Sequence, residues 1–282
     1  MKTIRLNNGV EMPILGYGVY QVPDYDECKK SVLVALEAGY CSIDTAQAYQ
    51  NEEAVGDAIK ESGIDRKELF ITTKLWITDF GYEAAKKAFQ VSLEKLQLEY
   101  VDLYLLHQPF GDVHGAWKAL EELYKEGKIR AIGVSNFYPD RVMDLINFNE
   151  IIPMVNQIET NPFYQRNEDH TFLVEEGVVH ESWAPFAEGR GEFFNNEVLA
   201  GIGEKYGKSV AQVTLRWMIQ RDVVVIPKSV TPSRIRENID VFDFELSQED
   251  MEAIAALDKN ESQFFSHRDP ATVKWFGTLL NN

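Results

Sequence analysis

Between Gly16 and Ile226 the chain alternates strand-like and helix-like patterns eight times, and this alternation constrains its fold more than any other feature. Strand patterns begin near Gly16, Cys41, Phe70, Val101, Ile129, Met154, Val178 and Val223. Runs such as Phe70-Ile71-Thr72-Thr73, Val101 to Leu106 and Val223 to Ile226 are nearly continuous in apolar or β-branched residues. That suits parallel strands covered on both faces. From Cys41 to Val178 the starts recur every 24 to 31 residues, whereas the step from Val178 to Val223 is 45. Eight such units predict an α/β chain folded as a (β/α)8 TIM barrel, with an insertion after the seventh strand. A doubly wound nucleotide-binding sheet would need Gly-x-Gly-x-x-Gly at a strand-to-helix turn. Gly16-Tyr17-Gly18 lacks the third glycine, and Gly201, Gly203 and Gly207 have the wrong spacing inside a helical stretch.

The helices carry end signals. Asp24 with Glu27, Ser209 with Gln212, and Ser247 with Asp250 have capping-box spacing, and Thr231-Pro232 pairs an N-cap residue with proline at the first helical position. Gly39 and Gly127 stand where helices should stop. Ahead of the barrel, Thr3 to Leu6 and Val10 to Leu15 flank Asn7-Asn8-Gly9. Asn-Gly favours a type I′ turn, which predicts an N-terminal β-hairpin, with Pro13 on an edge strand or a cap.

At 282 residues and 45% hydrophobic, with no Pro/Gly/Ser-rich linker, residues 1–282 read as one barrel domain. The formal net charge of -17 argues against a nucleic-acid or anionic-membrane binder, but leaves room for a small anion held by focused cations. No stretch approaches a signal-peptide core or a membrane span, so the expectation is a soluble, cytoplasmic protein. Cys28 and Cys41 lack metal-ligand spacing and read as buried thiols of a reducing compartment.

Barrel enzymes carry their working groups at the C-terminal ends of the strands. There the sequence offers Asp44, Lys74, His107, Ser135-Asn136, Gln157, Trp183 and Lys228-Ser229, with Tyr49 five residues beyond Asp44. Taken singly, each has a plainer reading as a helix cap, an ion pair or a packed ring. Together, Asp44, Lys74 and His107 on successive strands converge beside the Tyr49 hydroxyl. A lysine ammonium held by Asp44 should lower the phenol pKa from its reference value of about 10. His107 would orient a carbonyl oxygen. The cluster suits a carbonyl gaining negative charge, given an external source of electrons.

The segments IDTAQAYQNEEAVG (43–56), TKLW (73–76), VDLYLLHQP (101–109), IRAIGVSNF (129–137), NQIE (156–159) and IPKS (226–229) resemble the signatures of the aldo-keto reductase family. The likeness runs in order along the chain and is nearest the bacterial diketogluconate reductase branch. It implies a catalytic tetrad of Asp44, Tyr49, Lys74 and His107, and NADPH as cofactor. Ser135, Asn136 and Gln157 would hold the nicotinamide carboxamide, Trp183 would stack on the ring, and Asp44 would touch its ribose. Lys228, Ser229 and Arg234 would bind the 2′-phosphate, with Glu237 and Asn238 at the adenine. The family default is a monomer acting on a small-molecule carbonyl.

Several positions depart from the common family pattern: Gln108 and Tyr20 where tryptophan is frequent, Trp183 where animal members have tyrosine, and Ala184 where serine is common. Tyr20, Trp76 and Phe110 are the expected pocket walls. A tail from about residue 259 to 282 should pack near the active-site face, with Phe264, Phe265 and Trp275 either lining the pocket or simply holding the tail down. Three other readings remain open at this point. One is a Lys74 Schiff-base aldolase. Another is a metal hydrolase, disfavoured by the scattered His107, His114, His170, His180 and His267. The third is a cofactor-bound regulatory barrel without significant catalysis.

Overall fold

The computed structural model describes residues 2–280; Met1, Asn281 and Asn282, the last two belonging to the expected tail, lie outside the described residues. Two short strands, β1 (Thr3–Arg5) and β2 (Glu11–Pro13), pair antiparallel ahead of an eight-stranded sheet. That sheet comprises β3 (Tyr17–Gly18), β4 (Ser42–Asp44), β5 (Phe70–Leu75), β6 (Val101–Leu106), β7 (Ile129–Ser135), β8 (Val155–Glu159), β9 (Val179–Trp183) and β10 (Val224–Val225). Each strand lies parallel to the next in chain order. Parallel bridging of Leu15 to Val225 closes the ring, with Gly16 N–H donating to Val225 O at 2.9 Å and Gly18 N–H to Pro227 O at 3.1 Å. The expected (β/α)8 barrel is therefore present.

The helices are α1 (Tyr25–Glu37), α2 (Glu52–Ser62), α3 (Tyr82–Leu96), α4 (Val113–Lys125), α5 (Pro139–Phe148), α6 (Asn167–Glu175), α7 (Glu197–Tyr206), α8 (Val210–Gln220), α9 (Pro232–Ile239), α10 (Gln248–Ala255) and α11 (Pro270–Leu279). The strands face these helices and the barrel interior at once, which is why Val101 to Leu106 are all buried. Gly133 is required inside β7, because a Cβ there would come within 2.5 Å of Val155 O. The long seventh step holds kinked turns over Ala187–Asn195 and the additional helix α7. Ser209 and Ser247 form complete capping boxes. Thr231 is an N-cap without a side-chain bond, its N–H being accepted instead by Ser229 Oγ at 3.2 Å.

The hairpin differs in its turn. Gly9 N–H donates to Leu6 O, Leu6 N–H to Val10 O, and only Gly9 has a left-handed φ, at 87°. Asn7-Asn8-Gly9 is thus a three-residue loop ending in a bulge rather than a type I′ turn. Freed of that turn, the asparagine side chains reach across the barrel floor. Asn7 Nδ2 donates to Pro153 O and Gly177 O, and Asn8 Nδ2 to Arg130 O. With Met12 and Ile14 fully buried, the hairpin caps the N-terminal end of the barrel. Function is left to the opposite end.

Candidate active site

The C-terminal end of the barrel holds a cavity of about 590 Å3, within the usual range for small-molecule sites. Asp44, Tyr49, His107, Ser135, Asn136, Gln157, Trp183 and Lys228 line it, together with Tyr20 and Trp76. Lys74 lies below the lining, its side chain fully buried.

Alternation along the strands explains the convergence. In β5, Thr73 points outward to Glu52 of α2, its Oγ1 donating at 2.7 Å, so Lys74 points inward. Lys74 Nζ then donates to Asp44 Oδ1 at 2.5 Å, Thr45 O at 3.0 Å and Tyr49 OH at 3.3 Å. Three acceptors satisfy one ammonium. Burial, the largest influence on it, would strip its proton, but Asp44 and its neighbours outweigh burial and raise its pKa. A buried ammonium behind Tyr49 is a poor Schiff-base nucleophile.

Tyr49 sits on a turn of 3-10 helix, Gln47–Tyr49, that Gln47 anchors by accepting from Trp76 N–H at 2.9 Å. The sequence led to the expectation of a lowered phenol pKa. The structure reverses that: burial is the largest influence and pushes it up to about 12, although Lys74 pulls it down. Tyr49 therefore keeps its proton until a reacting group takes it. His107 follows β6, its ring 5.6 Å from the Tyr49 ring and 5.1 Å from Trp76. Burial, then the Lys74 charge and His267, hold it well below the ordinary histidine range, so it is neutral.

The expected carboxamide residues are together but differently engaged. Ser135 Oγ donates to Gln157 O at 2.9 Å. Asn136, at φ 66°, donates through Nδ2 to His107 O and Ser135 Oγ, while its Oδ1 accepts from Trp183 Nε1 at 2.8 Å. Gln157 uses Nε2 twice, toward Asp44 Oδ2 at 2.9 Å and Glu181 Oε2 at 3.0 Å. Its Oε1 has no protein partner among the described residues.

Past β10, Lys228 and Arg234 are both exposed, and neither forms an ion pair among the described residues. Ser229 stays close to them, its carbonyl accepting from Tyr17 OH at 2.5 Å. Asn238 is buried, and Glu237 accepts from Ser209 Oγ at 2.5 Å, so part of its carboxylate serves the start of α8.

The pocket walls need one correction. Phe110 does not line the main cavity; it lines a neighbouring hollow of about 380 Å3. The tail comes between, with Phe276 at 5.0 Å and His267 at 6.1 Å from the Phe110 ring. Phe264, Phe265 and Trp275 do line the cavity, joined by His267 and Phe276. Gln108, marked in the sequence only as a departure from the family pattern, also joins the site, its Oε1 2.9 Å from His267 Nε2, and Glu181 was missed altogether. Glu181 had a signal: on a strand it must share the inward face of Trp183 two residues on. Cys41 is half-buried rather than buried.

Residues 15–259 match the aldo/keto reductase family. The chain belongs to that family. Over 260 residues it is 54% identical to the glyoxal reductase of Bacillus subtilis, covering 92% of this chain and 94% of that one. Over 261 residues it is 45% identical to the methylglyoxal reductase DkgA of Escherichia coli, covering 92% and 94%. Among solved structures, an aldo-keto reductase from a deep-sea metagenome superposes with TM-score 0.91 at 43% identity, covering 95% of this chain and 99% of that one. A Bombyx mori aldo-keto reductase in complex with NADP gives 0.89 at 35% identity, covering 97% and 96%. The family read from the motifs is borne out. No helix of the described residues is long and apolar enough to cross a membrane.

Proposed function

We propose that this aldo/keto reductase reduces small aldehydes and ketones with NADPH, with Tyr49 donating the proton to the carbonyl oxygen. The observation that carries the reading is the Tyr49 hydroxyl on the cavity wall, 3.3 Å from a buried ammonium that Asp44 holds in place. As the proton leaves, Lys74 stabilises the phenolate, and the charge that burial resists in the resting site becomes tolerable. Neutral His107 orients the carbonyl oxygen by hydrogen bonding and adds no competing charge.

The site suits the cofactor. Gln157 Oε1 is an open acceptor for an amide, Trp183 offers an aromatic face, and Lys228 and Arg234 are cations without ion-pair partners among the described residues, at the start of α9 in a chain of net charge -17. When bound, NADPH supplies the hydride equivalent that reaches the carbonyl carbon. Ser135, Asn136, Gln157, Trp183 and Asp44 would hold its nicotinamide end. Lys228, Ser229 and Arg234 would hold the 2′-phosphate, and Glu237 and Asn238 the adenine.

For substrate we propose small α-oxoaldehydes. The names of the Bacillus subtilis and Escherichia coli relatives support this class. Trp76, Phe265, Trp275 and Phe276 wall the cavity around that substrate. We take residues 1–282 as one domain, acting as a cytoplasmic monomer. The test is consumption of NADPH or NADH, followed by absorbance, across glyoxal, methylglyoxal, simple aldehydes and ketones. Turnover of the dicarbonyls with NADPH is expected. NADPH binding without turnover of any carbonyl would favour the regulatory-barrel reading instead.

A further inference from the structure

Glu181 is a carboxylic acid fully enclosed in the barrel interior, and the proton transfer described above makes no use of it. It lies on β9, on the same face as Trp183 and one step deeper in the barrel. Its one side-chain partner among the described residues is Gln157, whose Nε2 it accepts at 3.0 Å. The second hydrogen of that amide goes to Asp44 Oδ2 at 2.9 Å. Both donors of Gln157 are thereby spent on carboxyl oxygens, and its Oε1 is the amide atom left over. Turning the amide over would set Oε1 against the Asp44 carboxylate and oblige Glu181 to donate its O–H instead of accepting, so the orientation is determined by the pair and not by Gln157 itself.

The neighbouring groups are arranged so that this acceptor cannot be replaced. Asn136 has its amide committed to Trp183, His107 O and Ser135 Oγ. Ser135 Oγ donates to the Gln157 backbone. Gln157 Oε1 is thus the acceptor of the three residues without a partner among the described residues, in a wall of the cavity.

We propose that Glu181 is a positioning residue for the cofactor: its carboxyl group locks the Gln157 amide so that Oε1 faces an amide N–H of the nicotinamide. The inference rests on the cofactor reading given above and deepens it. The charged groups facing Glu181 are Asp44 on β4 and Lys74 on β5. On its other side β10 contributes only Val224 and Val225. Burial first, and then the Asp44 charge, push the Glu181 carboxyl up to about 8. At neutral pH it is an uncharged acid whose carbonyl oxygen accepts from Gln157 Nε2. Above pH 8 it becomes a second anion beneath the ring site, which favours the positively charged oxidised nicotinamide over the reduced one.

The test compares wild type, E181Q and E181L by the quenching of tryptophan fluorescence. Each is titrated with NADPH, NADP+ and the reduced 3-acetylpyridine analogue of NADPH, whose acetyl group accepts a hydrogen bond but cannot donate one. Wild type and E181Q, which keeps an oxygen acceptor, should bind NADPH about tenfold more tightly than the analogue, as one well-placed hydrogen bond allows. E181L, in which Asp44 alone holds the amide, should lose most of that discrimination. From pH 6.5 to 9.5 the preference for NADP+ over NADPH should rise in wild type and stay flat in E181Q. Undiminished discrimination in E181L, or a pH profile shared by wild type and E181Q, overturns the proposal. The paired pH profiles of wild type and E181Q decide even if E181L does not fold. Failure of wild type to bind NADPH at all would overturn the cofactor reading and this inference with it, and is told apart by that binding curve.

Discussion

His267 Nε2 lies 2.9 Å from Oε1 of Gln108, which ties the C-terminal tail to the residue next to His107. Burial pulls the His267 pKa down to about 4, so the ring is neutral near pH 7 and donates through Nε2. With Oε1 so engaged, the Gln108 amide presents N–H donors to the cavity it lines. An α-oxoaldehyde carries a second oxygen where a simple aldehyde has none. Gln108→Leu should lower kcat/KM for methylglyoxal about tenfold, the worth of one hydrogen bond, and leave butanal nearly unchanged. Equal losses for both substrates would place Gln108 outside substrate recognition.

Tyr49→Phe removes the hydroxyl while keeping the ring that packs against Tyr20 and His107. General acid catalysis contributes about 10²- to 10⁴-fold, so kcat should fall at least that far while NADPH affinity is retained. Rates from NADPH absorbance and affinity from fluorescence separate the two effects. A variant that turns over normally would remove Tyr49 from the acid role.

These residues were legible because barrel strands alternate. Once Cys41, Phe70 and Val101 are recognised as strand starts, Asp44, Lys74 and His107 must meet at one end. The Tyr49 pKa was not legible, since it depends on how much burial opposes Lys74, and burial is a property of the assembled barrel. Phe110 was misplaced for a similar reason. Its strand-end position puts it at the right end of the barrel, but only the path of the tail, bringing Phe276 beside it, decides which hollow it lines. The Asn-Gly pair misled in the opposite way, because its local preference yielded to bonds reaching Pro153, Gly177 and Arg130.

Lys228 and Arg234 are exposed and lack acidic partners among the described residues, so removing either costs the folded protein little. A charge-assisted hydrogen bond to phosphate contributes about 1.5–3 kcal/mol. Lys228→Ala and Arg234→Ala should each weaken NADPH binding roughly 10- to 100-fold and change NADH binding far less. Competitive titration of the two cofactors measures this. Parallel weakening would mean that these cations act on something other than the 2′-phosphate.

Asp102 plays no part in the site, yet it is fully buried on β6 and binds three donors. Arg66 and Arg130 donate at 2.6 Å each and the Ile71 N–H at 2.8 Å. Asp102→Ala strips Arg66 of its carboxylate, leaving it the Leu69 and Tyr100 carbonyls, and leaves the buried Ile71 N–H unpaired. A loss of about 3–5 kcal/mol in urea unfolding is expected, with kcat of the folded fraction unchanged. A loss below about 1 kcal/mol would show that solvent replaces the network.

Acid should weaken the fold well above the range where carboxylates usually dominate. Burial lowers the pKa of His107, His170, His180 and His267 in the native state. The unfolded chain therefore takes up protons first as pH falls below about 6.5, and stability is lost through that window. Glu159 and Glu181 act in the opposite direction, because their raised native pKa values let the folded state bind protons earlier. Four histidines against two carboxyls leave a net uptake of protons on unfolding, so stability falls as pH drops below about 6.5. Asp250, held low in spite of burial by Tyr206, Lys205 and Ser247, adds its own loss only below pH 4. Urea midpoints from pH 7 to 4.5 measure the slope. His267→Gln keeps a donor for Gln108 but removes one titrating ring, so its slope should be shallower by about 1 kcal/mol per pH unit. An unchanged slope would mean that His267 titrates freely in the folded protein and that its burial under the tail is lost in solution.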